Sequence, residues 1–256
     1  MKIIAIIPAR YASSRFPAKV LADIHGKPMI ERVFAQAKKS SKLSEVFIAT
    51  DNQIVFDKVK AFTQNVLMTK DSHISGTDRI AEAATILEKN NVEFDFIINI
   101  QGDEPFIQPK QIDSLADVLL ENTKTQLATL VSKIKNTETL FDENVVKAIF
   151  DIYKKAIYFS RNPIPFVRGK ERENWLSEQT FYRHIGMYAY QKDVLQQITK
   201  LQPSKLELAE SLEQLRWIEN GFEIQVAVTP FESIGVDTPQ DLEKILKNYD
   251  EFDNIK

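Results

Sequence analysis

Ile3-Ile4-Ala5-Ile6-Ile7 is a continuous apolar run rich in β-branched residues. Such a run predicts a strand buried on both faces, as in a parallel sheet. Val46 to Thr50 and Phe96 to Ile100 repeat the pattern. Between them the period lengthens. Met29, Ile30, Val33, Phe34 and Ala37 predict a helix with Pro28 in its first turn. Ile80, Ala83, Ala84 and Leu87 predict another, from about 78 to 88. Strand and helix in alternation argue for a doubly wound α/β sheet.

The second half is less regular. Strands are predicted over 145–150, 156–159, 185–190 and 224–228, joined by longer polar connections. A helix is predicted from about Leu206 to Asn220, with Leu208, Leu212 and Leu215 on its apolar face and Gly221 as its stop. A last helix starts near Pro239. No linker or repeat interrupts the 256 residues. We therefore expect one domain, in which residues from about 150 to 230 contribute a smaller lobe.

Composition narrows the chemistry. The chain is 43% hydrophobic and 27% charged, with a formal net charge of -3. That is globular composition without a general basic field, so neither nucleic acid nor a membrane is an expected partner. There are no cysteines, which excludes disulfides and thiolate metal sites. The apolar start is too short for a signal peptide and no run could span a membrane, so a cytoplasmic location is expected. Of seven glycines, Gly76, Gly102, Gly186 and Gly235 lie in short polar motifs. Glycine serves where backbone turns sharply or approaches a ligand.

The first strand runs into a loop carrying Arg10, Arg15 and Lys19. It is neither a Walker A loop nor a dinucleotide fingerprint. Guanidinium forks and a lysine point charge suit a triphosphate, although a solvated surface loop would read alike. In His73-Ile74-Ser75-Gly76-Thr77-Asp78-Arg79, Ser75 or Thr77 can cap the following helix, whose amides could hold an anion. Gln101-Gly102-Asp103 follows the third strand. Asp103 is a turn residue on one reading and a Mg²⁺ ligand on the other, because magnesium takes one or two carboxylates plus phosphate oxygens. Asp237, before Thr238-Pro239, reads by itself as a helix start. Tyr158 to Arg161, His184 to Tyr190 and Glu210 to Arg216 are unusual for surface sequence.

Together these motifs, from Ile7-Pro8-Ala9-Arg10-Tyr11 to Asp237-Thr238-Pro239, resemble the 3-deoxy-D-manno-octulosonate cytidylyltransferases, or CMP-Kdo synthetases. Sialic-acid cytidylyltransferases are similar in the first loop but lack the Tyr158–Arg161 and Leu212–Arg216 segments. The resemblance implies a nucleotide-diphospho-sugar transferase fold with a smaller sugar-binding and dimerisation lobe, a homodimer, and a Mg²⁺ requirement. It implies transfer of CMP from CTP to the anomeric hydroxyl of Kdo, for lipopolysaccharide synthesis. Related acceptors, amino-Kdo or a sialic acid, stay open, as does an idle nucleotide-binding regulator. On this resemblance Ala9, Arg10, Arg15, Lys19, Ser75, Gly76 and Arg79 bind the nucleotide. Asp103 and Asp237 hold the metal, and with Arg15 and Lys19 carry catalysis. Gln101, Arg161, His184, Tyr188, Glu213 and Gln214 form the sugar site, with His184 a candidate general base. Two positions depart from the family's pattern. Ala18 stands where glycine is usual, so residue 18 must accept a β-carbon, and Asn52 stands where an acidic residue or histidine is common.

Overall fold

A computed structural model describes residues 1–12, 16–232 and 235–249. The chain forms two compact units, one of residues 1–117 and 233–256, the other of residues 118–232.

In the first unit, β1 (Ile3–Pro8), β4 (Glu45–Thr50) and β6 (Phe96–Asn99) are the apolar runs of the sequence. A short hairpin, β2 (Asp23–Ile24) and β3 (Lys27–Pro28), leads into α1 (Met29–Ala37). Pro28 is still extended and precedes the helix instead of joining its first turn. After β4 come α2 (Gln53–Lys60), β5 (Val66–Met68) and α3 (Gly76–Lys89). Asn52, the second departure from the family pattern, caps α2 by accepting from the amides of Ile54 and Val55. Strand β1 pairs in parallel with β4 on one side and β6 on the other, and β4 pairs in parallel with β5. The chain thus winds outward from β1 in both directions. That reversal of strand order opens a crevice at the carboxyl edge, where ligands bind in doubly wound sheets. All residues of β6, and all of β1 but Pro8, are buried, as a strand covered on both faces requires.

Helix α4 (Pro109–Glu121) leads into the second unit. There β7 (Leu127–Lys133), α5 (Thr137–Phe141), β8 (Lys147–Phe150), β9 (Ala156–Ser160), α6 (Trp175–Glu178), β10 (Tyr182–Gln191) and α7 (Lys192–Ile198) follow. Then come α8 (Lys205–Glu210), α9 (Glu213–Glu219) and β11 (Ile224–Val228). Strand β7 pairs antiparallel with β10 and in parallel with β11, while β8 pairs antiparallel with β9 and β10. Trp175, Phe181, Leu140 and Ile134 make a core here. The chain returns to the first unit with α10 (Pro239–Lys247), whose Ile245 packs with Val236, Phe106, Met29 and Ile24.

One expected element is corrected. The single helix over 206–220 is two, because Ser211 adopts the left-handed conformation with φ 52°. The break puts Leu208 at 69% exposure, outside the expected apolar face, while Leu212 and Leu215 remain buried. Gly221, at φ 81°, ends α9 as expected.

Candidate functional site

Four segments of the first unit converge on a cleft of ≈ 490 Å³. Pro8, Arg10, Ala12 and Lys19 come from the loop after β1, and Gln101, Gly102 and Asp103 from the loop after β6. Gly76 opens α3, and Asp237 precedes α10. The loops after β1 and β6 meet closely: a β-carbon on Gly102 would stand 2.7 Å from the Pro8 carbonyl oxygen. Only glycine fits there without displacing backbone.

Lys19 is the centre of the cleft. Its Nζ donates to Asp103 Oδ2 at 2.7 Å, to Val236 O at 2.9 Å and to Asp237 Oδ1 at 3.0 Å. Burial alone would lower the lysine pKa, but the two carboxylates outweigh it and hold it above the ordinary value. Two aspartates distant in sequence thus share one cation position. Lys19 reaches it because Ala18 turns the chain: its φ of 56° and ψ of 21° are left-handed, the region that favours the family's usual glycine.

The N-terminus of α3 carries a capping box. Ser75 Oγ accepts from the Asp78 amide at 3.1 Å, and the Asp78 carboxylate accepts from the Ser75 amide at 3.2 Å. Arg10 approaches the same loop, with Nη1 3.5 Å from Ile74 O. Ala9 is fully buried, its amide donating to Ala49 O, so only its backbone is available to a ligand.

Arg79 is engaged within the protein. Its side chain is 0% exposed and paired with Asp51 at 2.6 Å. It also donates to Thr69 Oγ1 at 2.6 Å and approaches Lys70 O at 3.3 Å. Two arms of the guanidinium thus brace the 69–70 segment and Asp51, while Nε is buried without a hydrogen-bond partner among the described residues. Arg15 lies outside the described residues.

The expected sugar residues lie in the second unit, apart from Gln101. Arg161 follows β9 and donates from Nε to Glu210 O at 2.7 Å and from Nη1 to Glu143 O at 3.1 Å. His184 and Tyr188 flank a register shift in β10, with ring centroids 5.2 Å apart. Burial and the charge of Arg183 push the His184 pKa down to about 3, so the ring is neutral, and its Nε2 sits 2.9 Å from Thr129 Oγ1. Burial, then Tyr190 and Glu213, raise the Tyr188 pKa well above its usual value. Glu213 opens α9, and Gln214 beside it is 5% exposed, its Nε2 buried without a hydrogen-bond partner among the described residues.

The sequence reading missed Glu210 and the fully buried Lys147, whose ammonium is held by Asp142 O at 2.9 Å and by Val145 O. Glu210 lies within the unusual 210–216 stretch, but nothing in the sequence links it to Arg161.

A profile of the Cytidylyltransferase family matches residues 4–228. The chain is 51% identical to the 3-deoxy-manno-octulosonate cytidylyltransferase of Cytophaga hutchinsonii, with 96% of each chain covered. It is 51% identical to that of Parabacteroides distasonis, over 96% of this chain and 97% of the relative. A solved structure of CMP:2-keto-3-deoxy-manno-octonic acid synthetase complexed with CTP matches with a TM-score of 0.89 at 39% identity, over 98% of this chain and 99% of that one. The fold is therefore the nucleotide-diphospho-sugar transferase type. The chain belongs to the cytidylyltransferase family, among the 3-deoxy-manno-octulosonate cytidylyltransferases.

Proposed function

We propose that the chain transfers CMP from CTP to the anomeric hydroxyl of 3-deoxy-D-manno-octulosonate and releases pyrophosphate. The observation that carries this reading is the convergence of Lys19, Asp103 and Asp237 in a cleft at the switch point of a doubly wound sheet. The names of the relatives, and the CTP complex of one of them, supply the substrate class.

The hydroxyl oxygen attacks the α-phosphorus as the bond to pyrophosphate breaks, and the hydroxyl proton leaves with solvent. Such a reaction depends on positioning and on neutralising the phosphate oxygens. Asp103 and Asp237 suit Mg²⁺, since both present hard oxygen to a point already occupied by a cation. Among the described residues no group of three or more His, Asp or Glu is placed to hold a metal, so phosphate oxygens would complete the shell. Bound there, Mg²⁺ would neutralise charge on the α-phosphate and the departing pyrophosphate. Lys19 would turn from the carboxylates to the pyrophosphate, where Arg10 adds a guanidinium. Arg161 would hold the sugar carboxylate, whose two oxygens match a guanidinium edge. Ile152, Tyr153 and Ile157, exposed around the β8–β9 hairpin, support a homodimer. The expected setting remains the cytoplasm and lipopolysaccharide synthesis.

A pyrophosphate-release assay crossing four nucleotides with a panel of sugar acids tests the reading. CTP with Kdo should turn over, UTP should substitute poorly and ATP should be inactive. Equal or faster turnover with a sialic acid would overturn the acceptor assignment.

A further inference from the structure

Strand β9 ends at Ser160, and Arg161 leaves it with its guanidinium already engaged. Helix α8 ends at Glu210 because Ser211 turns left-handed. The last carbonyls of a helix have no partner within it. The carbonyl of Glu210 finds one outside, accepting from Arg161 Nε at 2.7 Å. The carboxylate of the same residue grips the adjoining chain. Oε2 accepts from the Arg161 amide at 2.9 Å, and Oε1 accepts from Ser160 Oγ at 2.7 Å. One residue thus fixes the main chain at 160–161 through its side chain and the guanidinium through its main chain. With Nη1 turned to Glu143 O, Arg161 Nη2 has no hydrogen bond among the described residues.

Lys147 is buried beside this corner, and its burial, with the Arg161 charge, lowers its pKa against the opposing pull of Asp142 and Glu210.

We propose that Glu210 is a positioning residue: it orients Arg161 so that one guanidinium edge is presented to the carboxylate of the sugar substrate. The inference rests on the assignment of Arg161 to that carboxylate.

Steady-state kinetics on the whole chain with CTP and Kdo tests it, using Glu210→Gln, Arg161→Ala and the double variant. Glutamine keeps the shape and the main-chain carbonyl but sets an amide donor against the Arg161 amide or the Ser160 hydroxyl. In Glu210→Gln the KM for the sugar acid should rise about tenfold, the loss of one charged hydrogen bond, while the KM for CTP stays within about twofold. In the Arg161→Ala background the same change should add nothing, because Glu210 acts through Arg161. Ser160→Ala, which removes one partner and leaves the rest, should raise the sugar KM by a smaller factor. Equal rises in both KM values, or full additivity with Arg161→Ala, would show a merely structural brace and sink the inference. A clear Arg161→Ala effect with a silent Glu210→Gln would sink it while leaving the sugar assignment intact. A silent Arg161→Ala would remove both.

Discussion

Lys19 Nζ stands 2.7 Å from Asp103 Oδ2, across 84 positions of sequence, and the same ammonium reaches Asp237 Oδ1 at 3.0 Å. The lysine therefore occupies the point that two carboxylates define. Lys19→Met should lower kcat/KM by about two orders of magnitude, the usual cost of removing one charged group from a transition state. It should also raise the affinity of the nucleotide-free protein for Mn²⁺, because no ammonium remains to be displaced. Electron paramagnetic resonance of added Mn²⁺ reads that affinity without any turnover. Unchanged Mn²⁺ binding would show that lysine and metal do not share a position.

Asp237 reads equally well in sequence as a helix cap, and the structure gives that duty to its neighbour. Thr238 Oγ1 accepts from the Asp241 amide at 3.2 Å, and the Asp241 carboxylate accepts from the Thr238 amide at 2.9 Å. Thr238→Ala should cost about 1 kcal/mol of stability. Asp237→Asn should leave the melting temperature nearly unchanged yet remove most activity. Combined with Asp103→Asn, the loss should fall well short of the product of the single effects, because both act on one ion. Full activity of Asp237→Asn at limiting Mg²⁺ would refute the shared site.

The pair of Arg79 with Asp51 predicts a different signature. Removing one member of a buried ion pair strands the other, at a cost of about 3–5 kcal/mol. Arg79→Met should therefore lower the melting temperature markedly, and Arg79→Met with Asp51→Asn should recover part of it. Nucleotide affinity should suffer only as far as the 69–75 loop loosens. A stable Arg79→Met protein with weak CTP binding would assign Arg79 to the nucleotide instead.

His184 should make the fold sensitive to acid. Its pKa is about 3 in the folded chain against 6.5 ordinarily. The unfolded chain takes up a proton that the folded chain refuses, so this contribution to stability is present above pH 6.5 and lost as pH falls toward 3. His184→Gln should flatten the decline of the melting temperature between pH 7 and pH 5. An imidazole resonance titrating near pH 6.5 in the native protein would contradict this.

Ala18 holds a left-handed conformation that L-residues enter at a cost of about 1–2 kcal/mol. Ala18→Gly removes that cost and adds back part as chain entropy. A net gain of roughly 0.5–1 kcal/mol is expected in denaturant titrations. A loss of stability would mean that the alanine methyl packs usefully.

What was legible in the sequence was what local pattern encodes. The runs at Ile3, Val46 and Phe96 are unbroken because parallel strands are buried on both faces. Ser75 or Thr77 announced a capped helix, and the structure gives the cap to Ser75. The break at Ser211 was hidden, because residues 206–220 keep helical spacing without Gly or Pro. Its causes are tertiary: Glu210 is held by Arg161 from 49 positions away, and Glu207 by Arg216. The ion pair of Arg79 was hidden for the same reason. A cation in a polar motif before a helix looks like a ligand-binding group until Asp51, 28 positions upstream, is seen beside it. Strand β7, six of whose seven residues are buried, was missed because Thr129 and Ser132 interrupt its apolar run.

The contact between Gly102 and the Pro8 carbonyl has a thermodynamic consequence. Two loops whose backbones already touch cannot drift independently, so the floor of the cleft is ordered before any ligand arrives. Binding then spends little of its free energy on freezing that floor, and affinity depends on the side walls: the residues around Arg10 and those around Asp237. Any side chain at position 102 would wedge the floor apart. Its first effect would be a larger entropic penalty on association, measurable by calorimetry as weaker nucleotide binding at an almost unchanged binding enthalpy.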